Sequence, residues 1–270
     1  RHGRLIDGPD RPYPEEVQEG LATEVFGRRA LYLKTASSTN DEAKRLGAAG
    51  WPEGAVIVAE EQTAGRGRLG RRWSSAAGGL WFSLIARPAL ALANLGPLTI
   101  VAAVALCRAI LAETGAKPAI KWPNDLVLGG RKLAGILAEA SGELGRAELV
   151  VLGLGLNVNQ SAADFPPELR MRATSLRLCL GREVRRLPIL RAFLAAFEEL
   201  YLGGRGDGFR SALAEATANS ATLGRQVQVA CGGATLAGLA VRLDPDGALV
   251  LETESGPVRV MTGETEEVAR

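Results

Sequence analysis

Apolar and polar residues follow two patterns along the chain up to about residue 218. Short, mostly apolar runs bounded by glycine or polar clusters predict strands, whereas apolar residues that recur every three or four positions predict helices. A short helix after Pro14 is predicted at 15–22, and Thr39 and Glu42 have the spacing of a capping box at a helix start. The predicted strands cover 31–34, 55–59, 79–86, 119–121 and 148–158, and the predicted long helices cover 95–114, 187–202 and 208–218.

Turn sequences supply the remaining organisation. Gly129-Gly130 separates the apolar runs 126–128 and 133–138, which predicts a β-hairpin because paired glycines adopt positive φ. Beyond Asn219, short runs alternate with turns such as Asp244-Pro-Asp-Gly247, which predicts four or five strands in a small β-barrel. The sequence thus predicts an α+β protein with an N-terminal extension of unknown role at 1–30, a larger domain at 31–218 and a barrel at 219–270.

Composition narrows the chemistry. The 270 residues are 47% apolar and 23% charged, with 32 basic and 30 acidic side chains, so neither disorder nor bulk attraction to nucleic acid is indicated. His2 is the only histidine, which argues against Ser-His-Asp hydrolysis and HExxH zinc chemistry. Cys107, Cys179 and Cys231 form no CxxC, so no disulfide framework or thiolate metal site is predicted, and a cytoplasmic setting is expected.

A loop rich in glycine and arginine is the first candidate site. Gly65, Gly67 and Gly70 match GxGxxG, but a strand rather than a helix is predicted to follow, so we reject a dinucleotide site. Glycine lets a ligand approach the backbone, and planar guanidinium groups suit carboxylate and phosphate. The alternative on these residues alone is a solvated basic loop or a nucleic-acid patch. The loop arginines are Arg66, Arg68, Arg71 and Arg72.

The second candidate combines Lys121-Trp-Pro-Asn-Asp125 with Lys132. Only five lysines occur in the chain, and two of them lie in this segment. If the hairpin forms, Lys121 and Lys132 can converge on one site, where two cations beside a carboxylate suit an anionic transition state. Asp125 is a candidate Mg²⁺ ligand, or it orients one of the lysines. The alternative is a strand end with a turn aspartate and two solvated lysines.

The third candidate is Gly153-Leu-Gly-Leu-Asn157-Val-Asn159, where an apolar strand ends in two asparagines. The asparagine amide both donates and accepts hydrogen bonds, which suits a ribose, an amide or a phosphate oxygen. The glycines allow a ligand to lie against the strand. A strand with packing glycines and an asparagine turn is the alternative.

Taken together and in this order, these segments resemble the bacterial biotin protein ligase family. The resemblance covers about residues 30 to 270, and it implies a class II synthetase-like catalytic domain with a mixed sheet, followed by an SH3-like β-barrel. The motifs are Ser38-Thr-Asn40, Gln62-Thr-Ala-Gly65-Arg-Gly-Arg68 with Arg71 and Trp73, Gly78-Gly-Leu-Trp-Phe-Ser83, Lys121-Trp-Pro-Asn-Asp125, Arg131-Lys-Leu-Ala-Gly-Ile-Leu137 and Gly153-Leu-Gly-Leu-Asn157.

The resemblance implies a two-step reaction with biotin and Mg²⁺-ATP as substrates and no tightly bound prosthetic group. The biotin carboxylate attacks the α-phosphate of ATP, which gives biotinoyl-5′-AMP and pyrophosphate. The ε-amine of one lysine on a biotin carboxyl carrier protein then attacks this anhydride. Such chemistry requires no protein nucleophile, in agreement with the absence of a histidine or cysteine constellation.

The resemblance also implies roles for individual residues. The implied catalytic residues are Arg68, Lys121 and Lys132. The implied biotin-binding residues are Ser38, Thr39, Asn40, Gln62, Arg66, Gly67, Arg68, Lys132 and Gly153. The implied nucleotide-binding residues are Arg71, Trp73, Lys121, Asn124 and Asn157, and Asp125 is the implied metal ligand.

Many members of the family also carry an N-terminal DNA-binding domain. Only about thirty residues precede the first predicted catalytic strand, so a ligase-only member that binds neither DNA nor membrane is expected, with a homodimer left open. Two alternatives remain at this point. A lipoate–protein ligase uses the same two-step logic, and a nucleic-acid-binding module would use the arginine loop with the barrel.

Overall fold

The structure of the chain is a computed structural model that describes residues 10–267 apart from 89–90, 92–94 and 144–146. The first nine residues, which include His2, lie outside that range. The helices are α1 (Pro14–Gln18), α2 (Thr39–Ala48), α3 (Gly96–Thr114), α4 (Leu176–Leu180), α5 (Arg186–Gly204) and α6 (Arg210–Ala218). The strands are β1 (Ala30–Ala36), β2 (Val56–Gln62), β3 (Leu80–Ala86), β4 (Ala119–Lys121), β5 (Asp125–Leu128), β6 (Arg131–Ser141), β7 (Leu149–Leu156), β8 (Gln226–Cys231), β9 (Ala234–Leu243), β10 (Leu249–Thr253), β11 (Gly256–Val260) and β12 (Glu264–Glu267).

A seven-stranded mixed sheet organises the larger part of the chain, in the order β1-β2-β3-β7-β6-β5-β4. β1 and β2 are parallel and α2 connects them, whereas the other neighbours pair antiparallel. The β5–β6 hairpin turns at Gly129 and Gly130, whose φ angles are 59° and 72°, as the glycine pair predicts. The mixed α+β architecture expected from the sequence is confirmed.

The two faces of this sheet are covered unequally. α3, α5 and α6 pack with one face to form the main core. α3 is long and apolar enough by length and composition to cross a membrane, but 67% of its most apolar window is buried inside the protein. On the opposite face, α2 lies over β2, β3 and β7 around Ile57, Ile85 and Val151.

The start of α2 differs from the prediction. Ser38 is the N-cap residue, and no side chain caps the helix. Thr39 instead contacts Gln62 through both its backbone N–H and its hydroxyl, and Glu42 accepts hydrogen bonds from Arg45. The capping-box prediction is therefore wrong, because the side chain of Thr39 belongs to a polar cluster on the sheet.

Five antiparallel strands between Gln226 and Glu267 form a second sheet in the order β11-β10-β9-β8-β12, consistent with a small barrel-like domain. Its core contains Val229, Leu249 and Leu251, and Trp122, from the turn between β4 and β5, is part of the same cluster. The division of the chain at residue 219 stays a proposal. Around that position Asn219 and Ala221 bond to the backbone of Ile120, so the chain runs along β4 before entering the second sheet.

Residues 10–28 lie against α5. The Glu198 carboxylate accepts three backbone hydrogen bonds, from Glu24, Val25 and Phe26 at 2.6, 2.7 and 2.8 Å. The Arg186 side chain is 8% exposed and forms ion pairs with Asp10 and Glu60. The predicted helix at 15–22 ends earlier, at Gln18.

Candidate active site

Three glycines of β6 and β7 form the floor of the candidate site. An added Cβ at Gly153 would lie 2.1 Å from Asn40 Oδ1, and one at Gly155 would lie 2.5 Å from Trp73 Nε1. A Cβ at Gly135 would approach the same indole ring to 3.0 Å. Glycine is required at these positions because the side chains of Asn40 and Trp73 lie directly on the sheet. The motifs that contain Asn40 and Trp73 therefore meet the glycines of β6 and β7.

A chain of hydrogen bonds links the residues predicted to bind biotin. Gln62 Oε1 accepts from the Thr39 backbone N–H at 2.8 Å, and Gln62 Nε2 donates to Ser75 Oγ at 2.8 Å. Ser83 Oγ lies 2.8 Å from Thr39 Oγ1 and 2.6 Å from Asn40 Oδ1. Ser38, Thr39 and Asn40 are 3 to 4% exposed. The cluster is thus a buried network of hydrogen-bonded side chains between α2 and the sheet.

Glu139 and Lys44 extend this chain, and sequence reasoning missed both residues. Asn40 Nδ2 and Lys44 Nζ each lie 2.6 Å from a Glu139 carboxylate oxygen. Burial acts to raise the pKa of Glu139, but the hydrogen bonds from Lys44 and Asn40 outweigh it and the pKa is lowered. A lone carboxylate directly after the apolar run 133–138 was the signal that could have identified Glu139.

The arginine loop is tied to protein groups on two sides. Arg66 forms a two-pronged contact with Asp41 at 2.8 and 2.5 Å, and the hydrogen bonds from Arg66 lower the pKa of Asp41 against the effect of burial. Arg68 donates to Asn124 Oδ1 at 3.2 Å and to the Gly263 carbonyl at 3.1 Å. Arg71 pairs with Glu264 on β12.

The backbone of this loop is strained at its tip. Leu69 has φ 56° and ψ 34°, a left-handed conformation that costs free energy outside glycine, and its side chain is 73% exposed. Gly67, predicted to bind biotin, donates its N–H to the Arg71 carbonyl at 2.7 Å and so closes the base of this turn. Burial lowers the pKa of Arg68, whereas Asp125 and Glu264 oppose that change.

Lys132 and Asp125 meet beside the Trp73 ring. Lys132 Nζ lies 2.8 Å from Asp125 Oδ1 and 5.1 Å from the Trp73 ring centroid. Asp125 Oδ1 is buried and has no hydrogen-bond partner among the described residues, so the contact with Lys132 is an ion pair without hydrogen-bond geometry. Trp73 Nε1 is likewise buried without a partner in the described part of the chain. Both atoms retain capacity for a ligand.

Two other predicted residues lie further out or serve the backbone. Lys121 is opposite Asp125 in the β4–β5 ladder and borders a cavity of about 340 Å³ between the two sheets, together with Lys117 and Thr265. Asn157 is 4% exposed and donates its Nδ2–H to the Thr174 carbonyl at 2.9 Å. Convergence of Lys121 with Lys132, and contact of Asn157 with a nucleotide, stay predictions.

The backbone of Lys132 is hydrogen-bonded to residues 172–174, a segment for which the sequence indicated no role. Lys132 N–H donates to the Arg172 carbonyl at 2.8 Å, and the Thr174 N–H donates to the Lys132 carbonyl at 2.9 Å. Asn157 fixes Thr174 in turn. The position of the Lys132 side chain therefore depends on three segments that are distant in sequence.

Comparisons with known proteins agree with this geometry. Residues 32–157 match the model of the biotin/lipoate A/B protein ligase family, and residues 222–266 match that of the biotin protein ligase C terminal domain. The bifunctional ligase/repressor BirA of Bacillus subtilis is 38% identical over 97% of this chain and 81% of its own length. The biotin–[acetyl-CoA-carboxylase] ligase of Mycobacterium tuberculosis is 34% identical over 94% and 97%.

Among solved structures, the biotin protein ligase from Aquifex aeolicus in complex with biotin and ATP is similar to this chain, with a TM-score of 0.78 and 30% identity. The match covers 90% of this chain and 100% of that one. The likeness therefore includes both sheets and the face that carries the candidate site.

Proposed function

Because the chain belongs to the biotin protein ligase family and is an ATP-dependent biotinylating enzyme, we propose that it transfers biotin to one lysine of a biotin carboxyl carrier domain. The acceptor is supported by the M. tuberculosis relative, which is named as a ligase for acetyl-CoA carboxylase. The observation that carries the site assignment is the meeting of the polar chain, the arginine loop and Lys132 around one glycine-lined face.

In the first step, a biotin carboxylate oxygen bonds to the α-phosphorus of ATP, and the bond to the β-phosphate oxygen breaks to release pyrophosphate. Negative charge accumulates on the α-phosphate as this happens. Lys132 and Arg68 supply positive charge that is already in position before the reaction. Charges held in this way stabilise the negative charge of the transition state without a reorganisation cost. The ion pair with Asp125 positions the Lys132 ammonium group at this side of the site.

The biotin end of the site is the polar chain. A bicyclic urea needs paired donors and acceptors when it is buried, and the chain from Asn40 to Gln62 offers both. Gly153 lets the Asn40 side chain lie directly on the sheet, and Arg66 and Gly67 belong to the neighbouring arginine loop. The full set proposed for biotin is Ser38, Thr39, Asn40, Gln62, Arg66, Gly67, Arg68, Lys132 and Gly153.

The nucleotide side of the site includes the Trp73 indole, whose unpaired Nε1 is a buried donor. Arg71 is 67% exposed, so it can exchange Glu264 for a phosphate with little loss of stability. The full set proposed for the nucleotide is Arg71, Trp73, Lys121, Asn124 and Asn157.

Mg²⁺ enters in this account as part of the ATP substrate complex. The described residues contain no group of three His, Cys, Asp or Glu side chains that could hold a resident metal. A lone carboxylate that reaches a phosphate-bound Mg²⁺ is a common arrangement, and Asp125 Oδ1, which has no hydrogen-bond partner among the described residues, fits it. The ion pair with Lys132 supports instead a role in orienting that lysine.

Asp125→Asn separates these two roles. If Asp125 orients Lys132, kcat should fall about tenfold or more, because a misplaced cation stabilises the transition state less. The Mg²⁺ concentration that gives the half-maximal rate should then stay unchanged. Steady-state rates over a Mg²⁺ titration measure both quantities. A raised Mg²⁺ requirement that excess Mg²⁺ repairs would assign Asp125 to the metal.

In the second step, the neutral carrier lysine attacks the carbonyl carbon of the adenylate, AMP leaves, and the amine gives up one proton. Mass spectrometry after reaction with biotin, Mg²⁺-ATP and a carrier domain tests this directly. A mass increase for one biotin at a single lysine is expected, and a carrier with that lysine replaced by arginine is the control. Modification with lipoate and not with biotin would show instead that the protein is a lipoate–protein ligase.

Two further expectations concern partners and stay predictions. This chain is not expected to shift operator DNA in an electrophoretic mobility assay. Sedimentation of the protein with biotin and ATP decides between monomer and homodimer.

A further inference from the structure

Glu139 is a side chain of the site for which the resemblance gives no role. It lies on β6, where its two oxygens contact Asn40 Nδ2 and Lys44 Nζ at 2.6 Å each. Arg66 NH2 is 3.7 Å away. The carboxylate thus connects α2, the sheet and the arginine loop at the edge of the polar chain.

The orientation of an asparagine amide is decided by its partners. The oxygen and nitrogen of the amide have nearly the same shape, so packing alone does not distinguish the two orientations. Among the described residues, the Asn40 amide forms hydrogen bonds with Glu139 and Ser83. A serine hydroxyl either donates or accepts, so Ser83 tolerates both orientations, whereas an ionised carboxylate only accepts.

Gln62 at the other end of the chain differs in this respect. Its Oε1 accepts from the Thr39 backbone N–H at 2.8 Å, and a backbone N–H only donates. The orientation of Gln62 is therefore set by the main chain of α2. Of these two amides, Asn40 is the one whose orientation depends on a side chain, and that side chain is Glu139.

We propose that Glu139 is a positioning residue that fixes the amide of Asn40 with its NH2 group toward β6, and that Lys44 holds the Glu139 carboxylate in place. The inference rests on the proposed biotin site. With Nδ2 held by Glu139, the direction of the hydrogen bond between Asn40 and Ser83 is fixed before biotin binds. A reversed amide would present an acceptor where the substrate needs a donor, or the reverse.

Glu139→Gln is a stringent test because glutamine keeps the shape of glutamate. Lys44 only donates, so it should attract the new amide oxygen, which turns the new NH2 group toward Asn40 and favours the reversed Asn40 amide. We expect the KM for biotin to rise about tenfold, the effect of one mismatched buried hydrogen bond. The KM for ATP should change less than about twofold, since Glu139 contacts none of the proposed nucleotide residues.

A second substitution should undo this effect. In Glu139→Gln with Lys44→Met, the Lys44 ammonium no longer attracts the glutamine oxygen. Arg66 lies 3.7 Å from the Glu139 oxygen that contacts Asn40 and favours an oxygen at that position. The KM for biotin should return to within about threefold of the wild-type value. A residue that merely supports the fold would make the double variant worse than either single one.

The measurement is biotin-dependent exchange of labelled pyrophosphate into ATP, over biotin and ATP titrations, with a thermal melt for each variant. Glu215→Gln is the matched control, because it removes a carboxylate that pairs with Arg108 at 2.6 Å on the opposite side of the sheet, and its biotin KM should equal that of the wild type.

Each outcome bears on the proposal. An unchanged biotin KM in Glu139→Gln would overturn it, as would a double variant no better than Glu139→Gln. Lys44→Met alone should raise the biotin KM by less than about threefold, and a tenfold rise there would assign the effect to lost charge. No exchange by the wild type would refute the proposed function itself, which separates the two failures.

Discussion

Arg66, Arg68 and Arg71 lie within six residues of one another, yet the structure fixes them to different degrees. Arg66 and Arg71 pair with carboxylates at side-chain exposures of 38% and 67%. Exposed ion pairs contribute little free energy, so a ligand anion can replace their partners. Arg68 is more buried and contacts Asn124 and the carbonyl of Gly263. It is therefore the arginine that is in place before the substrates arrive.

Arg68→Ala should leave the fold intact and weaken retention of the adenylate, because a fixed cation over the reactive phosphate is lost. We expect released biotinoyl-AMP to rise about tenfold or more and nearby lysines of unrelated proteins to become labelled. Release is measured by chromatography after rapid filtration.

Arg72→Ala is the matched control for that variant. Arg72 belongs to the same loop, is exposed, and has no ion pair with the described residues. Equal adenylate retention and carrier specificity in wild type and Arg68→Ala would refute the role given to Arg68.

The family resemblance pointed to Asn40, Gln62, Arg68 and Lys132, whose roles stay predictions, whereas it omitted Glu139 and Lys44 for physical reasons. Asn40, Gln62, Arg68 and Lys132 belong to motifs that are recognisable in one dimension. Glu139 acts only through contacts with residues almost a hundred positions away, and no local pattern marks such a contact. Lys44 is one of the five lysines, but nothing near it in the sequence indicates that it pairs with Glu139.

Among the secondary-structure elements, α5 has an unexpected task. Its Glu198 accepts three backbone N–H groups from residues 24–26, which form no helix or strand and would otherwise leave those donors unpaired. Arg186 at its start holds Asp10 and also donates to the Gly79 carbonyl beside β3. α5 therefore anchors part of the extension whose role the sequence left unknown.

Glu198→Ala should destabilise the fold by about 3 kcal/mol, because three buried donors lose a charged acceptor. Glu199→Ala is the matched control from the next position of the same helix. The Glu199 side chain is 72% exposed and, within the described part of the chain, pairs with Arg108 alone at 3.3 Å, so its loss should cost less than about 1 kcal/mol. Urea unfolding followed by circular dichroism measures both, and equal losses would contradict the anchoring role.

Elements with a clear period were predictable, and short ones were not. The alternation and length of the apolar runs located the strands of the first sheet and the hairpin, because burial of one face imposes that pattern. α4 has five residues and lies in a segment fixed by contacts with Asn157 and Lys132. A helix of that length has too few turns for a periodic signal.

At the scale of the whole molecule, Trp122 joins the two sheets. Its ring lies in the core of the second sheet, and its Nε1–H donates to the Gly247 carbonyl at 3.0 Å. Its backbone N–H and carbonyl bond to Thr222 and Thr265. The sequence predicted a larger domain and a small barrel. It did not indicate that Trp122, from the segment Lys121–Asp125 of the larger domain, lies in the core of the barrel.

This shared core predicts that the two sheets unfold together. Calorimetry of the wild type should give a single transition, and Trp122→Ala should lower the free energy of unfolding by about 3 to 5 kcal/mol, as for other buried tryptophans. Two separate transitions in the wild type would contradict the coupling.

The most direct test of the account is the stoichiometry of adenylate on the protein without a carrier. Wild-type protein mixed with biotin, Mg²⁺ and ATP labelled at the α-phosphate should retain one labelled biotinoyl-AMP per chain after gel filtration. Omission of biotin should abolish the label, and addition of a carrier domain should release it as AMP. Label that is retained without biotin, or no label in its presence, would contradict the account.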